Sequence, residues 1–288
     1  MIQGWRIKPA QNIKLELNAS SLDALTRQLP EGYYSTFRTF GSCRRVLGLT
    51  AHLRRLYEPV RAPEVSESFL RQQILALLEP YRPDEARLRL IMTKGGEVYL
   101  ASEPLKPLPR QVYEVGVRVE TTELYRDHPR LKSTAFIAAS DAERKHIARE
   151  GIFEALLVKN GRILEGITSN FFYVRHLRAS SALVAKNAQR GAILYTAQRD
   201  ILLGITRKTV IDIARGRGIE INYEPLKRDD ISTIEEAFIT SSSRGVVPVI
   251  QVDDLIIGPG TPGPITSQLS AAYDRYVMDH AESIVSAE

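Results

Sequence analysis

Glu154-Ala-Leu-Leu-Val-Lys-Asn-Gly-Arg-Ile-Leu-Glu-Gly-Ile-Thr-Ser-Asn-Phe-Phe-Tyr-Val174 is the stretch on which the fold turns. Ala155 to Val158 is an apolar run of strand length. Asn160-Gly161 is the dipeptide that accepts positive φ at both central positions of a tight hairpin turn. Ile163-Leu164 starts the return strand, and Asn170 to Val174 reads as a further apolar strand. Between them, Glu165-Gly166-Ile167-Thr168-Ser169-Asn170 sets a carboxylate and small polar groups into an otherwise apolar sheet. Burying such groups is costly unless they are paired or hydrogen-bonded. That cost points to a ligand, and a carboxylate suits a protonated ring nitrogen. From this segment alone, a polar bulge or an exposed loop between two strands is the alternative.

The surrounding chain bounds the class. Its 288 residues suit two modest domains. A hydrophobic content of 43% and a charged content of 25% describe an ordinary globular composition. No apolar stretch approaches membrane-spanning length. Met1-Ile-Gln-Gly-Trp-Arg6 lacks the pattern of a signal peptide. One cysteine, Cys43, excludes an intrachain disulfide and a cysteine-rich metal site. A cytoplasmic enzyme without a metal is the expectation. The net charge of +5 raises nucleic-acid binding. However, the basic residues are scattered and no basic block is interleaved with aromatics, so that reading is the weakest.

Along the chain, Ile13 to Leu17 alternates like a strand, and Ser20-Ser21 precedes a short capped helix. Tyr33 to Phe40 reads as a strand, with Val46 to Leu49 returning as its partner. Thr50 is placed to cap a helix through His52 and Leu56, and Phe69 to Leu78 is amphipathic. Arg87 to Thr93 and Val98 to Ala101 flank a Lys94-Gly95-Gly96 turn. Pro104, Pro107 and Pro109 mark a linker, giving domains 1–108 and 109–288. Val115 to Glu120 reads as a strand and Ala138 to Glu150 as one helix, capped by Gly151. Gly204 and Thr206 read as the entry and cap of a helix running to Arg217, whose N-terminus suits an anion. A strand from Glu235 to Thr240, a serine run 241–243 and a last helix from Thr266 to Ser283 complete the chain.

Gly151, Glu154, Ala155, Leu156, Glu165, Gly166, Ser169, Asn170 and Phe172 together resemble the signature of the fold-type IV, or class IV, pyridoxal-phosphate enzymes. That family includes branched-chain and D-amino-acid aminotransferases and aminodeoxychorismate lyase. The resemblance covers about residues 30 to 250. It implies a mixed α/β (α+β) fold: a small N-terminal α/β domain, a larger C-terminal domain with a barrel-like sheet, and pyridoxal 5'-phosphate in the cleft between them. It also implies a homodimer.

The same resemblance assigns roles. Lys132, in Leu131-Lys132-Ser133-Thr134, falls where the family places its Schiff-base lysine. Glu165 matches the carboxylate on the ring nitrogen, beside Ser169 and Asn170. His52-Leu53-Arg54-Arg55-Leu56 is similar to the family's phosphate-arginine motif, with Arg55 the match. Ile205, Thr206 and Ser242 complete the phosphate cup. Tyr34, Arg38, Arg89 and Ser243 fall where the family meets its substrates. Ala135, Phe136 and Ile137 replace the asparagine and tyrosine that many relatives carry after the lysine. Transamination between an amino acid, of branched-chain or D type, and a 2-oxo acid is the activity implied. Ser35-Thr36 leans locally toward the lyase, which eliminates pyruvate. A non-catalytic binding protein on this fold is the remote alternative.

Overall fold

The computed structural model describes residues 2–16, 18–176 and 191–285. In chain order the elements begin with β1 (Gln3–Ile7), β2 (Ile13–Lys14), α1 (Leu22–Thr26), β3 (Gly32–Phe40), β4 (Arg45–Val46), α2 (Leu49–Tyr57), α3 (Glu67–Leu77), β5 (Ala86–Thr93) and β6 (Val98–Pro104). Then follow α4 (Arg110–Val115), β7 (Val117–Thr122), α5 (Ala135–Ala139), α6 (Asp141–Glu150), β8 (Glu154–Lys159), β9 (Arg162–Gly166), β10 (Asn170–His176), β11 (Ala192–Thr196) and α7 (Ile205–Gly216). The chain ends with β12 (Glu220–Asn222), β13 (Leu226–Lys227), β14 (Glu236–Ser241), β15 (Gly245–Val252), β16 (Leu255–Ile256), α8 (Pro264–His280) and β17 (Glu282–Ser283). Two compact units result. Unit 1 comprises Met1–Pro107, Leu131–Ala139 and Tyr276–Glu288, and unit 2 comprises Leu108–Arg130 and Ser140–Arg275.

Unit 1 is built on a seven-stranded sheet ordered β17-β4-β3-β5-β6-β1-β2. Side chains alternate across a strand, so its two faces differ. Phe37, Leu88, Leu90, Met92 and Leu100 pack one face against Leu49, Leu53 and Leu56 of α2 and Leu70 and Ile74 of α3. The opposite face carries Tyr34, which clusters with Ile91, Tyr99 and Ile137. Thr36 and Arg38 follow Tyr34 at intervals of two and pair with Arg89 and Arg87 on β5. One face is therefore a core and the other is lined with polar and aromatic groups.

In unit 2, β7, β8, β9, β10, β14 and β15 close into a six-stranded barrel within a ten-stranded sheet. The closing pair is Asn170 opposite Glu165. Lys159 pairs with Arg162 across a two-residue turn. Asn160 and Gly161 have φ of 53° and 68°, the two positive values that the Asn-Gly dipeptide announces. Phe171 and Tyr173 lie in a core with Leu156, Val158, Ile163, Ile239 and Val247. The fold is thus the mixed α/β arrangement with a barrel-like sheet that the motifs imply.

Local departures have local causes. Leu17, the last residue of the first expected strand, lies outside the described residues. The expected helix from Ala138 is two helices broken at Ser140, which adopts φ −94° and ψ 8°. Gly151 does cap the second, in the left-handed conformation at φ 67°. Val115 ends helix α4 rather than opening a strand. Thr50 does not cap α2: the helix starts at Leu49 after a left-handed Gly48, and Thr50 instead donates to Glu282. Ser21 does cap α1, accepting from the Ala24 N–H at 3.0 Å.

Candidate active site

In unit 1 the segment carrying Lys132 lies along β3. The Tyr34 N–H donates to the Lys132 carbonyl at 2.9 Å, and the Thr134 N–H to the Gly32 carbonyl at 2.9 Å. Thr134 Oγ1 accepts from the Gly32 N–H at 3.0 Å. A side chain on Gly32 would meet the Met92 carbonyl at 2.1 Å, so glycine is required where these backbones converge. Lys132 Nζ stands 4.7 Å from the centre of the Tyr34 ring. The amine is half-buried, over the aromatic face.

Arg89 is buried on the same face. Its Nη1 donates to Asp23 Oδ1 at 2.6 Å and to Thr26 Oγ1 at 3.0 Å, and its Nε donates to Thr36 Oγ1 at 2.9 Å. Its Cζ lies 4.9 Å from the Tyr34 ring centre. Arg38 is half-buried and lies over Phe40. Ser35 turns the other way: its hydroxyl meets His52 Nδ1 at 2.7 Å inside the core face. His52 is held neutral, its pKa well below the usual histidine value through burial and then the nearby cations Arg55 and Lys132. Arg55 follows His52 by three residues, so the two share one helix face.

In unit 2 the Glu165 carboxylate sits on the barrel-closing strand pair, 2% exposed. Oε1 accepts from Arg126 Nε at 2.9 Å, and Oε2 from Asn170 Nδ2 at 3.1 Å. The Leu202 N–H is shared between both oxygens at 3.2 and 3.1 Å. Asn170 Nδ2 also donates to the Leu202 carbonyl at 2.8 Å. Asn170 therefore orients Glu165 and ties it to the segment leading into α7.

That helix begins differently from the sequence reading. Thr206 lies within the first turn rather than at the cap. The cap is Gly204, which makes no side-chain capping bond. Gly204 has φ −67°, so the residue is required for space and not for backbone freedom. A Cβ there would lie 2.0 Å from Asn170 Oδ1. A helix start with no side-chain cap presents N–H groups and a partial positive charge to an anion. Thr206 Oγ1 is 3.4 Å from Ser242 Oγ, which brings the serine loop to the same place. Ser243 is half-buried one residue further on.

Ser169 points elsewhere. Its hydroxyl donates to Glu154 Oε2 at 3.2 Å. The buried Glu154 carboxylate also accepts from Thr168 and from Arg244 Nη2, the latter at 3.0 Å. Arg244 Nε reaches Ser241 Oγ at 3.3 Å. Arg244 and Glu154 thus fasten the serine loop to the segment after β9. Neither Arg126 nor Arg244 was marked by the sequence: each is one arginine among 39 basic residues, and the buried carboxylate it pairs with distinguishes it.

Each unit by itself carries groups whose chemistry suits part of a phosphorylated pyridine. A buried carboxylate suits a ring nitrogen, a helix start without a side-chain cap suits a phosphate, and a half-buried lysine suits a carbonyl carbon.

Comparison with known proteins gives the same family. Residues 32–252 match the family described as amino-transferase class IV. The D-alanine aminotransferase of Bacillus licheniformis is 25% identical over 278 residues, covering 90% of this chain and 92% of that protein. The branched-chain-amino-acid aminotransferase of Pseudomonas aeruginosa is 24% identical over 83% of this chain and 80% of that one. The aminodeoxychorismate lyase of Bacillus subtilis is 25% identical over 86% of each. A PLP-bound hypothetical aminotransferase from Mycobacterium tuberculosis superposes with a TM-score of 0.73 at 20% identity, covering 96% of this chain and 99% of that one. The Thermoproteus uzoniensis branched-chain aminotransferase with norvaline gives 0.72 at 20% identity, covering 98% and 99%. With the family match spanning well over half of its length, the chain belongs to the class IV aminotransferases, enzymes that depend on pyridoxal 5'-phosphate.

Proposed function

We propose that the protein transfers an amino group between an amino acid and a 2-oxo acid. The observation that carries this reading is the buried Glu165 carboxylate, held by Arg126, Asn170 and the Leu202 N–H. Such a site suits a cationic ring nitrogen. Pyridoxal phosphate, when bound, supplies the electron sink that makes an amino acid's α-proton removable. Lys132 would hold the cofactor and, with its amine free, would take the proton from the substrate Cα and return it. Arg55, Ile205, Thr206 and Ser242 would hold the phosphate. Arg38 and Ser243 receive the substrate carboxylate. Arg89 is already engaged by Asp23, so it acts by fixing Thr36 and Tyr34 on the pocket-facing side.

One observation bears on the lyase alternative. Ser35, half of the dipeptide that leans toward the lyase, is spent on a core hydrogen bond to His52. Only Thr36 shares the face of Tyr34 and Lys132. The local lean toward the lyase is correspondingly weaker. Branched-chain and D-amino acids are the donors to test first, as acted on by the named relatives. We also propose a homodimer working in the cytoplasm. Among the described residues no helix is long and apolar enough to cross a membrane.

The deciding experiment incubates cofactor-loaded protein with L- and D-amino acids plus a 2-oxo acid, and separately with aminodeoxychorismate. New amino acid in the first supports transamination. Pyruvate only in the second supports the lyase. No product in either, with a Lys132→Ala variant indistinguishable from wild type in cofactor binding, supports a binding protein.

A further inference from the structure

Arg126 belongs to no motif in the sequence, yet its side chain is 4% exposed and paired with an equally buried carboxylate. Two of its hydrogen bonds have different uses. Nε donates to Glu165 Oε1 at 2.9 Å. Nη2 donates to the Ile167 carbonyl at 2.7 Å. Glu165 and Ile167 flank Gly166, so the guanidinium is anchored on both sides of one residue and its plane is fixed. Gly166 itself has no room for a side chain: a Cβ would meet Ser169 Oγ at 2.3 Å.

Stability alone is a poor reason for this pair. Replacing a buried ion pair by apolar groups of similar volume is often neutral or favourable. We propose that Arg126 is a positioning residue that keeps Glu165 ionised, so that the proton shared between this carboxylate and the cofactor ring nitrogen stays on the ring. The inference rests on Glu165 being the partner of that nitrogen. Two bases compete for one proton there. A carboxylate buried without a cation favours its neutral acid form. The ring nitrogen would then lose its charge and withdraw electrons less strongly. Asn170 and the Leu202 N–H donate to the carboxylate without adding net charge, Arg207 acts on it electrostatically, and Arg126 is a cation in direct hydrogen-bond contact with it, placed to oppose its protonation.

The test uses holoenzyme carrying pyridoxal phosphate labelled with 15N in the ring. The 15N chemical shift reports whether the nitrogen is protonated. Wild type, Glu165→Gln, Arg126→Met, Arg126→Lys and the Glu165→Gln/Arg126→Met double variant are compared, each with its thermal midpoint. Wild type gives the protonated shift. Arg126→Met moves it toward that of unprotonated pyridine, and kcat falls roughly 10- to 100-fold, the loss typical of a missing orienting partner. Arg126→Lys keeps the cation and hence the protonated shift. In the Glu165→Gln background, Arg126→Met adds nothing further to either readout.

A protonated shift in Arg126→Met overturns the proposal, as does a kcat loss that persists undiminished in the double variant, since a merely structural arginine would act independently of Glu165. Should Arg126→Met fail to fold, Arg126→Lys carries the test: an unprotonated shift there overturns the role of the charge. If Glu165→Gln leaves the ring nitrogen protonated, Glu165 is not its partner, and the site reading falls together with the proposal.

Discussion

Gly204→Ala isolates one steric demand of the site. The backbone there is extended and unstrained, at φ −67° and ψ 142°, so alanine meets no conformational penalty. The penalty is contact: the new methyl would lie 2.0 Å from Asn170 Oδ1, 3.3 Å from its Cγ and 3.4 Å from Arg207 Cβ. The helix cannot retreat cheaply, because Arg207 is anchored by Nη2 donating to the Ala197 carbonyl at 2.7 Å. The Asn170 amide must therefore move. Moving it breaks the bond to the Glu165 carboxylate and the bond to the Leu202 carbonyl. One neutral bond and one to a charged group amount to about 2–4 kcal/mol. For a domain of this size, that lowers the thermal midpoint by roughly 4–16 °C. The assay is calorimetry with and without cofactor, alongside a cofactor titration. The control is Gly216→Ala, where nothing lies within 4 Å and no loss is expected. In an Asn170→Ala background the clash has no target, so Gly204→Ala should add almost nothing. A full loss in that background, or a Gly204→Ala protein as stable as wild type, would refute the reasoning.

Three further outcomes follow from other contacts. Arg244→Ala strands the buried Glu154 carboxylate and should cost roughly 3 kcal/mol, the low end for breaking a buried pair because the arginine is partly exposed, as chemical denaturation will show; Glu154→Gln in the same chain should recover part of that loss. Burial pushes the Cys43 thiol pKa up, so a disulfide reagent should label it only at the rate of unfolding, and rapid labelling of native protein would contradict its placement. His52 has a folded pKa depressed below its unfolded value, so its contribution to stability is complete above the unfolded pKa and declines as pH falls below about 6.5. Denaturation at a series of pH values should show that slope, and His52→Asn should flatten it.

Much of the barrel was legible because its signals are local. Asn160-Gly161 fixes a turn by φ alone, and alternation separates the two faces of β3. Helix starts were less legible. Thr50 and Thr206 both look like caps, yet glycines precede them and take that position for reasons of space or handedness. Ser140 interrupts a helical pattern that composition alone would carry through. Ser169 and Asn170 were marked by their motif, but their hydroxyl and amide bind Glu154 and Glu165, contacts that depend on barrel closure. Arg126 and Arg244 were invisible for the same reason. An arginine that pairs with a carboxylate 39 or 90 residues away has no periodicity to betray it.

The central claim is that Lys132 forms the covalent bond to the cofactor. Borohydride reduction of loaded protein, followed by proteolysis and mass spectrometry, locates that bond directly. The account predicts one pyridoxyl-modified peptide, containing Lys132, and none in Lys132→Ala. Modification of a different lysine, or its persistence at full yield in Lys132→Ala, would contradict it.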